Sequence, residues 1–168
     1  MKAVRKTWLN KLVHRLGSSP VGAWVFSRTL PFQDRLVLAL TGGRWTVTGL
    51  LAGFPVVWVT STGAKTGRPR TSPLVGVPDP ESAGTVALIG TNFGQQHYPA
   101  WYLNLKANPR ARCTINRVTG MYDAREAQGA EYDKFWRLAG EIYAGYPLYK
   151  QRIQGRHIPI LVLSPSPR

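Results

Sequence analysis

Cysteine and acidic residues are the scarcities that frame this chain of 168 residues, which holds one cysteine and eight aspartates and glutamates together. The lone Cys113 cannot close an intramolecular disulfide or build a multi-cysteine metal site, and it suits a reducing compartment. His14, His97 and His157 are scattered, with no cysteine or carboxylate cluster beside them, so no metal-binding spacing exists. Long apolar runs are also missing. The best, "LLAGFPVVWV" at 50–59, is about half a membrane span and contains Pro55. The first residues do not compose a secretory leader, because Lys11, His14 and Arg15 fall where its apolar stretch belongs. The expectation is a cytoplasmic protein. Disorder is excluded by a hydrophobic content of 43% and six tryptophans.

The complement of so few acids is a formal net charge of +14. Such a surface attracts polyanions: nucleic acid, an anionic membrane or an anionic cofactor. Charge alone does not choose among them. "RPRTSP" and "NPRARCTINR" are basic, yet no nucleic-acid motif accompanies them and the aromatics form no stacking strip. No nucleic-acid partner is expected.

Residues 2–16, "KAVRKTWLNKLVHRL", space Val4, Trp8, Leu9, Leu12, Val13 and Leu16 by threes and fours, with Lys2, Lys6, Lys11 and Arg15 mostly on other faces. That pattern predicts a basic amphipathic helix stopped by Gly17, able either to lie in a membrane interface or to pack on the domain. A second short helix, capped by Ser19, is expected through 23–26. From residue 56 the pattern turns to short strands: "VVWVT", "SPLVGV", "TVALIG", then "RCTINRV" and "GMYDAREA" paired around Thr119–Gly120, and finally "IPILVL". Between them, "YPAWYLNLKANP" reads as a short helix opened by Pro99, and "AEYDKFWRLAGEIYAG" as an amphipathic helix. Many short strands, close turns and few helices predict an α+β chain: an antiparallel barrel with helices outside it. A helical segment at 1–30 and a barrel domain at 31–168 are expected.

"STGAKTGRPRTSPL" (61–74) places Lys65 and Arg70 around Gly67, between two apolar segments. A glycine there permits a tight turn and close backbone approach. Arg70 offers a planar fork for phosphate or carboxylate, Lys65 a compact charge, and turn N–H groups would add to both. The order GxxxxGK[ST] of a phosphate-binding loop is absent. Downstream, Asn92 and Asn104 can hydrogen-bond a planar polar ring system and Trp101 can cover it. Tyr143, Tyr146 and Tyr149 recur every three residues, and Gly145 with Pro147 argues against an uninterrupted helix through them. Apolar bodies with polar tips suit the wall of a pocket for a flat substrate. No Ser-His-Asp or Cys-His set is suggested.

"STGAKTGRPRTSPL" together with "PAWYLNLKANP", followed by "IYAGYPLYKQRIQGRHIPILVLSP", resembles the deazaflavin-dependent nitroreductase family. These are split-barrel oxidoreductases that bind coenzyme F420. The resemblance implies that Ala64, Lys65, Thr66 and Arg70 hold the phosphate and acidic tail of the coenzyme. It implies that Arg70, Thr71, Ser72, Pro73, Leu74 and Val75 line one side of it, and that Ile89, Gly90, Thr91 and Asn92 run beside its rings. Ala100, Trp101, Tyr102, Leu103 and Asn104 would present a helix start, whose dipole and open N–H groups favour anions. The three tyrosines would line the substrate site, Tyr146 foremost, then Tyr143 and Tyr149, as catalytic residues that orient or protonate the acceptor. Val75, Asn92 and Phe93 depart from the family pattern, where Tyr, Lys and Gly respectively are common.

The reaction implied by the resemblance is hydride transfer from reduced F420 to a lipophilic, electron-poor acceptor, a quinone such as menaquinone, with nitroaromatic reduction as a side activity. The cofactor would carry the redox chemistry and the protein the binding and alignment. A peripheral membrane contact through 2–16 fits a membrane-resident acceptor. Two other readings stand beside this one: a membrane-associated protein that holds deazaflavin or lipid without turnover, and a flavin mononucleotide enzyme on the same barrel. The residues leave the oligomeric state open.

Overall fold

The structure, a computed structural model, describes residues 54–167. The helices expected at 2–16 and 23–26, and the boundary at residue 30, lie outside them. The described residues form six strands: β1 (Val56–Thr62), β2 (Pro69–Pro78), β3 (Val86–Ile89), β4 (Arg110–Ile115), β5 (Val118–Glu126) and β6 (Ile160–Pro165). They close into a barrel in the order β1-β2-β3-β6-β5-β4, with every neighbouring pair antiparallel. Among the described residues three α-helices flank it: α1 (Ala100–Ala107), α2 (Gly129–Ile142) and α3 (Gly145–Arg152). The expected α+β antiparallel barrel with outer helices is what forms.

Two apolar clusters explain which segments are apolar throughout and which alternate. Inside the barrel, Val57 and Val59 of β1 meet Leu88 of β3, Ala111 and Cys113 of β4, Tyr122 of β5 and Leu161 and Leu163 of β6. Tyr102 and Leu105 of α1 join the same cluster. On the outer face of β3 and β6, Ala87, Ile89, Ile160 and Val162 pack under Phe135 and Ala139 of α2 and the tyrosines near α3. β3 and β6 are thus buried on both faces. "VALI" and "ILVL" are consequently continuous apolar runs, whereas β5, with one face in water, alternates.

The reversal between β4 and β5 differs from the expectation around Thr119–Gly120. Those two residues lie within the ladder, opposite Thr114 and Cys113, and the Thr114 and Thr119 hydroxyls meet at 2.8 Å. The chain turns at Asn116–Arg117 instead, both at positive φ (51° and 68°). Two consecutive left-handed residues give the turn whose twist suits a two-residue hairpin, and asparagine tolerates that region.

Cys113 is wholly buried against this hairpin, and burial pushes its thiol up to about 12. It should therefore report unfolding. Labelling by a chromogenic disulfide at pH 8 is expected to be at least about 100-fold slower than in denaturant, since only the opened chain presents a thiolate. Rapid labelling of the folded protein would contradict the closed barrel. Among the described residues, no helix is long and apolar enough to cross a membrane.

Candidate functional site

The link between β1 and β2 is a tight turn. Thr66 and Gly67 donate their N–H groups to the Gly63 carbonyl, and the Gly63 N–H donates to Arg68 (2.9 Å). Gly67 sits at φ 64°, as the turn requires. The Ala64 N–H donates to Asn104 Oδ1 on α1 (3.0 Å), and the Arg68 N–H reaches Thr66 Oγ1 (3.4 Å). The turn's N–H groups were expected to help bind an anion. Apart from that of Lys65, they are committed within the protein, so capture falls to side chains. Lys65, Arg68 and Arg70 are exposed, and among the described residues none is ion-paired. Thr66 Oγ1 and the Arg70 side chain flank Gly63: a Cβ added there would lie 2.9 Å from the hydroxyl and 3.6 Å from Arg70 Cγ.

Register sorts the β2 residues by face. Arg70, Ser72 and Leu74 pair with Ser61, Val59 and Val57, the inward residues of β1. Thr71, Pro73 and Val75 pair with Thr60, Trp58 and Val56 and point the other way; Thr71 and Thr60 join their hydroxyls at 2.9 Å. A ligand against one face of β2 meets one set by side chain and the other by backbone alone.

α1 starts at Pro99 with no side-chain cap. Ala100 and Leu103 are exposed and Trp101 is half-buried. Tyr102 is core: its hydroxyl donates to Glu126 on β5, and burial with that bond pushes the phenol far up. Asn104 fastens the basic turn to α1, accepting from Ala64 and donating to Ser61 Oγ (3.4 Å).

The second loop leaves β3 at Ile89. Gly90 is hemmed by Pro159, whose Cγ would lie 2.7 Å from an added Cβ, and its N–H donates to the Pro159 carbonyl (2.8 Å). Thr91 is buried, and Asn92 Nδ2 donates to the His97 carbonyl (3.1 Å). Asn92 and Phe93 both adopt positive φ (48° and 56°) within a short 3-10 turn, Asn92–Gly94. For a phenylalanine this is a strained conformation that needs external support. Arg156 supplies some of it through hydrogen bonds to three carbonyls of this loop. Nothing in the sequence pattern singles out Arg156 for that role.

The three tyrosines straddle the joint between α2 and α3. α2 ends at Ile142, with Tyr143 as its C-cap, and Pro147 is accommodated in the first turn of α3. The chain is thus broken before Gly145, as Gly145 and Pro147 suggested. All three rings are buried and mutually in contact, with centroids 5.5–6.5 Å apart. The Tyr143 and Tyr149 hydroxyls are 3.0 Å apart. Burial raises all three phenols above their ordinary value, so they stay protonated across neutral pH. Phe54 packs edge-on to Tyr143 and Phe93 edge-on to Tyr149. Phe93 therefore ties the tyrosine cluster to the second loop, and Ile89 belongs to the same apolar cluster as the tyrosines.

Among the described residues, a closed antiparallel barrel with three outer helices, cations without ion pairs on one turn and a phenolic cluster beside another loop define a split-barrel reductase. Residues 30–165 match the family described as F420H(2)-dependent quinone reductase, and the chain belongs to that family. It is similar to an F420H(2)-dependent quinone reductase of Mycobacterium tuberculosis, 34% identical over 113 residues, which cover 66% of this chain and 73% of the relative. Among solved structures it resembles an F420-H2 dependent reductase, FDR-A, at 34% identity and TM-score 0.59, covering 66% of this chain and 94% of that one. A chain described as a domain-swapped dimer matches at 31% identity and TM-score 0.61, over 87% of this chain and all of the other. The protein is an oxidoreductase, and reduced coenzyme F420 is its hydride donor. The donor set suits that group: a phosphate and carboxylate tail calls for cations without internal partners, as Lys65, Arg68 and Arg70 are among the described residues.

Proposed function

We propose that the chain reduces a lipophilic quinone, menaquinone or a close analogue, bound against Tyr143, Tyr146, Tyr149 and Phe93. Lys65, Thr66 and Arg70 would hold the acidic tail of the coenzyme, Ile89–Asn92 would run beside its rings, and residues 70–75 and 100–104 would complete its site. The observation that carries the reading is the contact of Phe93 with Tyr149, which sets the phenolic cluster against the loop assigned to the coenzyme (6.4 Å between rings).

The coenzyme supplies the hydride. The chain supplies a dry aromatic wall and hydrogen-bond donors for the quinone oxygen as negative charge grows on it. The Tyr146 phenol, pushed up by burial, is a firm donor and a poor acid. That favours orientation over proton release, with the one proton that completes the quinol after hydride transfer drawn from solvent. Nitroaromatics, flat and electron-poor, fit the same wall as incidental acceptors.

A naphthoquinone assay tests this. Tyr146→Phe is expected to lower kcat/KM for the quinone by about tenfold or more while leaving the coenzyme Kd unchanged. An unchanged kcat/KM removes Tyr146 from the acceptor site. No turnover by a protein that binds the coenzyme would sink the quinone reading. Membrane contact through 2–16 rests on that segment's basic amphipathic pattern. If deleting 2–16 leaves the rate on vesicle-borne quinone equal to that of the full chain, the segment has no such role.

A further inference from the structure

Arg156 stands just before β6 and reaches back across the fold. Its Nη1 donates to the Gly90 carbonyl (3.2 Å) and to that of its neighbour His157 (3.2 Å). Its Nη2 donates to the carbonyls of Thr91 (3.1 Å) and Gln95 (3.0 Å). The guanidinium lies over the Tyr98 ring, 4.8 Å from its centroid. Among the described residues no carboxylate pairs with it. Among the described residues its buried Nε has no hydrogen-bond partner. An arginine placed to neutralise an acid would not be arranged so. This one binds backbone oxygens at both ends of a single loop.

Between those ends lie Asn92 and Phe93, the two non-glycine residues of the loop at positive φ. Left alone, a phenylalanine at positive φ relaxes, because its Cβ crowds the backbone. Three N–H bonds to the loop from a fixed planar fork oppose that relaxation in a way that a lysine cannot reproduce. The loop has other ties, including Gly90 to Pro159 and Gln96 Nε2 to the Arg152 carbonyl (2.9 Å). Among the described residues, only Arg156 joins Gly90–Thr91 to Gln95 through one group.

We propose that Arg156 is a positioning residue: by clasping the carbonyls of Gly90, Thr91 and Gln95 it holds the β3–α1 loop in the shape that receives the coenzyme rings and places Phe93 on Tyr149. The coenzyme half of this statement rests on the functional reading above; the hold on the loop does not.

Hydrogen exchange of the full-length protein without ligand tests the hold, and coenzyme titration tests its consequence. In Arg156→Ala, amides of 90–97 are expected to exchange at least about tenfold faster, with those of β1 and β2 unchanged. The Kd for oxidised coenzyme F420 is expected to rise about tenfold, its KM to rise in step, and kcat at saturating coenzyme to move less than about threefold. Arg156→Lys should recover only part of the loss, and millimolar guanidinium added to Arg156→Ala should recover more than equal sodium chloride does. Should the alanine variant not fold, Arg156→Lys and Arg156→Gln carry the same comparison. Unchanged loop exchange overturns the proposal, as does acceleration spread evenly over the barrel, which would mark general stability. An unchanged coenzyme Kd with a loosened loop overturns the coenzyme half. Failure of the wild-type protein to bind coenzyme removes the functional reading and that half together, and loop exchange still decides whether Arg156 holds the loop.

Discussion

The Lys65→Ala, Arg70→Ala double variant is expected to bind oxidised coenzyme F420 at least about 100-fold more weakly than the intact protein. The turn's own N–H groups, Lys65's apart, are engaged within the protein, so in the variant Arg68 is the one charged side chain of the turn left to grip an anion. A hydrogen bond between charged groups contributes about 1.5–3 kcal/mol, and two of them carry the expected loss. Both residues are exposed, so the barrel should be indifferent, with stability changed by no more than about 0.5 kcal/mol. The competing explanation is that a chain of net charge +14 merely attracts a polyanion at long range. An Arg117→Asn, Arg137→Ala variant removes two positive charges far from the turn: Arg117 at the β4–β5 hairpin and Arg137 in an exposed pair with Glu141 on α2. Long-range attraction predicts that both doubles weaken binding alike and that the loss vanishes at high salt. Local capture predicts a large loss in the first alone. Fluorescence titration at two ionic strengths separates the two outcomes, and a Kd unmoved by the first double would end the role of this turn.

Legibility followed how local each signal was. β3 and β6 were readable because burial on both faces leaves an unbroken apolar run, and a barrel wall under helices demands that. The tyrosine spacing, with Gly145 and Pro147, correctly marked a break between helices, since both residues act on the backbone where they stand. The β4–β5 reversal was misplaced because Thr119–Gly120 looks like a turn, whereas Asn116–Arg117 takes it up through two left-handed residues, one an arginine with no preference for that region. Asn104 could be flagged as polar, but its partner Ala64 lies 40 residues earlier, and a backbone N–H has no letter in the sequence. Arg156 is the extreme case. Among the described residues all its hydrogen-bond acceptors are main-chain carbonyls, so only the folded geometry reveals what it does.

The Gly145→Ala substitution should damage the tyrosine cluster through one contact. Gly145 is buried at the start of α3, with Tyr143 folded over it. An added Cβ would lie 2.2 Å from Tyr143 Cζ and 2.5 Å from its hydroxyl oxygen. Its φ is not left-handed, so the backbone does not demand glycine there; the ring does. Forcing the ring aside breaks the 3.0 Å bond between Tyr143 and Tyr149 and the edge contact with Phe54. Overpacking of this kind costs about 1–3 kcal/mol, measurable by urea denaturation. Quinone turnover should fall further than in Tyr143→Phe, which keeps the ring in place. The decisive comparison is Gly145→Ala in a Tyr143→Ala background. With the ring gone, the three atoms nearest the methyl group go with it, and alanine's better helix propensity should make the second change neutral or stabilising by up to about 1 kcal/mol. The sign of the effect of one methyl group would then depend on a residue two positions away, which is non-additivity arising from direct contact. Equal destabilisation in both backgrounds would mean that the glycine serves the backbone, and that the tyrosine cluster does not depend on the space it leaves.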